Sequence, residues 1–201
     1  YQKCFKLTHN DLHTNNIMMS PTEKEHIVYQ FENKYYKVPT FGKIYKIIDF
    51  GRAIYSFKGH TYYSDSFSKE GDATTQYNCE PYYNDKKEKI EPNYSFDLCR
   101  LACSMFDLVI DEDKDLKQLD DPLCKVIADW CTDDKGRNVL YKSNGEERYP
   151  GFKLYKMIAR TVHNHVPYKQ LERDIFSGYR IAKNKVNKKA RVINIDAMIE
   201  M

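Results

Sequence analysis

At 201 residues and 23.9 kDa, with 41% hydrophobic residues, the chain is long enough for one domain with a substantial core. Its 32 basic and 29 acidic residues leave a net charge of +3, too even a balance to argue for nucleic acid or a membrane surface as partner. No stretch reaches the roughly 20 apolar residues of a membrane span and no charged-then-apolar leader opens the chain, so a soluble cytoplasmic protein is expected.

Taken in order, Lys3 to Thr8 is a short lead-in. His9-Asn10-Asp11-Leu12-His13-Thr14-Asn15-Asn16 then supplies a carboxylate and, five residues later, a side-chain amide. Ile17-Met18-Met19 follows as a short apolar strand. The β-rich runs Ile27 to Phe31 and Tyr35 to Val38 flank Glu32-Asn33-Lys34, which predicts a hairpin over about 27–38, an exposed ribbon beside the cleft. A second apolar run, Ile44 to Ile48, leads into Asp49-Phe50-Gly51. Residues 51–93, with Gly59, Gly71, Pro81 and Pro92, lack periodicity and read as a long loop segment.

Helical patterns begin at Ser95, a good N-cap, with Asp97 favourably placed in the first turn. From Leu98 to Ile110 apolar residues fall on nearly every face, which predicts a helix buried all round. Asp111-Glu112-Asp113 is read as a solvated acidic loop, and Asp121-Pro122 opens a helix to about Cys131. After a polar loop over 133–150, Phe152, Tyr155, Ile158, Ala159 and Val162 share one helical face. Pro167 starts a last helix through Leu171 and Ile175, stopped by Gly178. The basic tail, 183–201, is expected to be solvated. The six cysteines show no C-x-x-C pair and read as buried free thiols, and His163 and His165 point to different faces rather than to a metal.

Phosphoryl transfer from a nucleotide needs two acids and an amide in this order: one Asp to take the proton of the attacking hydroxyl, an Asn and a second Asp to hold Mg²⁺. The kinase signature reads H-R-D-L-x-x-x-N followed by D-F-G. The chain matches the first except for Asn10 in place of Arg, and the second in full. Ser95-Phe96-Asp97-Leu98-Cys99-Arg100-Leu101-Ala102-Cys103 is similar to the kinase segment S-x-D-x-W-S-x-G-C, with Cys99, Arg100 and Ala102 as departures. The chain therefore resembles the protein-kinase-like superfamily. His13, where Lys is usual, is similar to the loop of haspin-like and small-molecule kinases, and the Lys/Asn/Tyr/Ile-rich composition resembles Ser/Thr kinases of large DNA viruses.

The resemblance implies an α+β chain, a mainly helical kinase C-lobe with short β-hairpins around the catalytic loop and the N-lobe absent. That lobe would come from the same gene or from another chain. Asp11, His13 and Asn16 would be catalytic, with His13 near the γ-phosphate. Asn15, Asn16, Met18, Ile48 and Asp49 would line the ATP site, Met18 beneath the adenine. Asn16 and Asp49 would bind Mg²⁺, with Mn²⁺ as an alternative. His9 and Asp97 would give structural support, Asp97 through the loop's backbone amides. Residues 51–93 would be the activation and docking segment, with Glu80 paired to Arg160. The implied substrate is a Ser/Thr hydroxyl of a protein; a small-molecule kinase and a pseudokinase scaffold are the alternatives. A viral origin would place it in host cytoplasm or the virion.

Overall fold

The computed structural model describes residues 1–111, 116–187 and 190–200. Glu112 and Asp113 of the acidic run, and Lys188 and Lys189 of the basic tail, lie outside them.

Eight strands form three sheets among these residues. Strand β1 (Ile17–Pro21) pairs antiparallel with β4 (Lys43–Ile47), Ile17 opposite Ile47 and Pro21 opposite Lys43. Between them β2 (His26–Phe31) and β3 (Lys34–Pro39) form a hairpin whose turn residues Glu32 and Asn33 have φ of 50° and 59°. Two left-handed central residues give a turn whose twist matches the flanking strands, and Asn tolerates that conformation. Strands β5 (Ile54–Phe57) and β6 (His60–Tyr63) form the third sheet, turning at Lys58-Gly59 with φ of 48° and 79°.

This architecture corrects the expectation of a mainly helical kinase C-lobe. The chain is mixed α/β, because the ribbon between Asp11 and Asp49 is not an isolated appendage. Near the C-terminal end, β7 (Arg180–Ile181) pairs antiparallel with β3 and β8 (Val192–Asn194) pairs parallel with β2, giving a four-stranded sheet of order β7-β3-β2-β8. Part of the supposedly solvated tail is thus sheet edge. Asp196 locks it further by accepting hydrogen bonds from the amides of Glu32 (2.8 Å) and Asn33 (3.0 Å).

The helices supply most of the main hydrophobic cluster. The main ones are α2 (Phe96–Val109), α3 (Pro122–Trp130) and α4 (Lys153–Thr161), preceded by a single turn, α1 (Gln2–Phe5). Asp121 caps α3 by accepting from Leu123 and Cys124. Ser95 does not cap α2; its hydroxyl accepts from the amide of His165, 3.0 Å away. Nor is α2 buried all round, since Leu108 is 76% exposed while Phe96, Cys99, Ala102, Cys103 and Phe106 face the core with Ile127, Ile158 and Val162. The expected last helix is two single turns, α5 (Pro167–Gln170) and α6 (Asp174–Ser177). They are split where Arg173, held by Asp129, adopts extended backbone. All six cysteines are free, and no helix of the described residues is long and apolar enough to cross a membrane.

Candidate active site

The loop His9–Asn16 crosses the face of α2. Asp97, in the first turn of that helix, accepts from the amides of His9 (2.8 Å) and Asn10 (2.9 Å), the contact the resemblance implies. Burial pushes the Asp97 carboxyl up, and the two amides and His9 oppose the rise. About two helical turns further on, the Ser104 hydroxyl accepts from the amide of Thr14 at 3.1 Å. Residues three or four apart share a helix face, so α2 underlies the loop along its length.

Asn10 is fully buried with φ of 66°. Its amide nitrogen donates to the carbonyls of Thr8 (3.2 Å) and Arg52 (2.9 Å), and its oxygen accepts from the Tyr77 hydroxyl (2.7 Å). The loop is thereby tied to both the residue after Gly51 and the segment beyond. His9 adds a ring contact to the carbonyl of Ile48 at 2.9 Å and packs its ring 5.1 Å from that of Phe50.

Asn16, buried at the loop's end, donates from its side chain to the Asp11 carbonyl at 2.9 Å and lies 3.3 Å from His13 Nε2. With Nδ2 engaged, Oδ1 is left as the oxygen for a cation. The Asn16 carbonyl accepts from the Ile48 amide at 3.0 Å, which continues the β1–β4 ladder one step beyond Ile17 opposite Ile47. That step carries Asp49 to the same end of the sheet as Asn16. Asp49 is exposed with φ of 60°, and its carboxylate accepts only a long bond, 3.3 Å, from Gly51 N. The His13 ring registers both acids: burial and Arg100 lower its proton affinity, whereas Asp11 and Asp49 oppose that change. Asp11, His13 and Asn16 are therefore neighbours, and Asp49 lies within electrostatic reach of His13. Asn15 is exposed, Met18 is 54% exposed on the β1–β4 pair, and Ile48 is exposed as well.

No family model matches the chain, and no curated protein does.

Three residues around Asp11 went unread in the sequence. The Tyr155 hydroxyl, from α4, donates to Asp11 Oδ1 at 2.6 Å, and burial followed by that carboxylate raises its phenol above the usual range. Arg52 reaches Asp11 Oδ2 at 3.4 Å and Asp72 at 2.5 Å, its guanidinium 5.7 Å from the stacked rings of Phe152 and Tyr155. Arg100 sits 4.9 Å over Tyr155. Arg52 adjoins Asp49-Phe50-Gly51 and Arg100 is a departure from the kinase pattern; Tyr155 had no local signal. Arg160, the expected partner of Glu80, instead donates to the carbonyls of Thr75, Gln76 and Lys156.

Mg²⁺ prefers hard oxygen ligands, commonly one or two side chains with the rest from phosphates and water. Asn16 Oδ1 and the open Asp49 carboxylate fit that donor set. Such a cation would take the rest of its shell from nucleotide and water.

Proposed function

We propose that the chain carries the catalytic centre of a Mg²⁺-dependent phosphotransferase that moves the γ-phosphoryl of ATP to a Ser or Thr hydroxyl of a protein. The observation that best supports this reading is the Ile48 to Asn16 backbone hydrogen bond, which brings the residue before Asp49 against the end of the Asp11–Asn16 loop. Asp11 takes the proton of the acceptor hydroxyl as its oxygen attacks the γ-phosphorus. The bond to the β–γ bridging oxygen breaks, and its electron pair leaves with ADP. Asn16 and Asp49 would hold Mg²⁺, which neutralises charge on the phosphates when bound. Met18 offers apolar surface to the adenine, and a small lobe, from the same gene product or another chain, would cover the nucleotide. The 51–93 segment, anchored through Tyr77 and Arg160, favours a protein acceptor over a small one.

A second reading, a binding scaffold without turnover, draws on one observation: Tyr155 and Arg52 engage both Asp11 oxygens. Assaying the complete gene product with radiolabelled ATP on proteins and small acceptors, beside Asp11→Asn, separates these readings. Labelled protein that disappears in the variant is expected. Labelled small molecules would point to a small-molecule kinase, and no transfer to the scaffold.

A further inference from the structure

We propose that Arg100, on α2, supplies the positive charge that meets the transferring phosphoryl group, a charge the loop itself lacks. The inference rests on the phosphotransferase reading. Between His9 and Asn16 there is no lysine or arginine, so no permanent cation stands in the loop. Phosphoryl transfer spreads negative charge over the equatorial oxygens, and a site without a fixed cation there is incomplete.

Arg100 lies between two residues of α2 that hold the loop at either end. Asp97 grips His9 and Asn10, Ser104 grips Thr14, and Arg100 on the same face therefore underlies Asp11 to His13. Its guanidinium is 4.9 Å over the ring whose hydroxyl donates to Asp11. Arg100 Nε is buried without a hydrogen-bond partner, and no carboxylate of the described residues forms an ion pair with the side chain. Arg100 is half-buried, close enough to His13 and Tyr155 to act on both electrostatically, and no carboxylate of the described residues pairs with it, so its charge is placed to meet an anion that arrives with substrate. Arg52 cannot take this role, because Asp72 at 2.5 Å and Asp11 already hold its charge. The bland alternative is that Arg100 only packs on Tyr155.

Charge and packing separate in the complete gene product. Arg100→Met keeps much of the stem and loses the charge; Arg100→Lys keeps both stem and charge. Arg100→Met is expected to lower kcat on the order of 100-fold with KM for ATP little changed, and Arg100→Lys to recover about tenfold of that loss. Binding of MgADP with aluminium fluoride, a stand-in for the transferring group, should weaken in the same order. Equal losses in the two variants would leave only packing and overturn the proposal, as would wild-type kcat in Arg100→Met. If Arg100→Met fails to fold, wild-type kcat in a folded Arg100→Gln overturns it equally. A wild type that transfers phosphate while these variants are unaffected overturns this proposal alone. A wild type that neither transfers phosphate nor binds the fluoride complex overturns it together with the functional reading.

Discussion

The two acids of the site live in opposite surroundings. Asp11 sits in a loop braced from beneath: Asp97 holds its backbone, Asn10 ties it across to Arg52 and Tyr77, and Tyr155 grips its carboxylate. Asp49 stands exposed at the end of a two-stranded ladder with one long hydrogen bond to Gly51 N. On the proposed reading the contrast has a use: a group that must be aimed at a hydroxyl gains from being held rigidly, whereas a group that takes up a cation gains from free oxygens.

The largest test of this contrast removes the brace. Asp97→Ala strands two buried amides, each costing about 1–3 kcal/mol, and should lower Tm by roughly 5 °C or more in a thermal melt. Asp49→Ala should leave Tm within about 2 °C, since the side chain is exposed, yet abolish Mg²⁺-dependent nucleotide binding. Equal melting temperatures would erase the distinction.

Next in size is Asn10→Ala, which leaves Tyr77 and two carbonyls without their partner, at a cost of about 2 kcal/mol in denaturant unfolding. The same residue bears on regulation. Its bonds are neutral and complete, so holding the 51–93 segment needs no phosphate, and phosphatase treatment should leave the proposed phosphotransfer by the complete gene product unchanged. A loss of activity would show that the latch is not sufficient.

The smallest effect is expected on the open side. The Arg52 guanidinium holds the exposed Asp72 carboxyl below its ordinary value. A depressed carboxyl contributes stability above its unfolded value, about 3.9, and loses it as pH falls through the lowered folded value. Asp72→Asn should therefore flatten the acid limb of stability, by less than about 0.5 kcal/mol because solvent screens the pair. A change of several kcal/mol would mean that Arg52 and Asp72 are as structural as Asp97.

What could be read from the sequence divides along the same line. The loop, Asp49 and Asp97 announce themselves because their spacing is local and chemically specific, and Pro122 and Asp121 mark the start of α3 for the same reason. Tyr155 cannot be found that way: its partner Asp11 lies 144 positions earlier, and on α4 it reads as one more apolar-face residue. The four-stranded sheet is not legible in the sequence because β8 is three residues long and follows a lysine-rich stretch, so pairing with β2, not propensity, makes it a strand. The split between α5 and α6 is likewise tertiary, since Arg173 is drawn to Asp129 rather than left to continue the helix.

The pairing of β2 with β8 also has a kinetic consequence. The hairpin of β2 and β3 forms from neighbouring residues, but Asp196 reaches the Glu32 amide across 164 positions. That contact closes a far longer loop than the hairpin turn does, so the outer edge of this sheet should acquire protection from hydrogen exchange later than the hairpin during refolding.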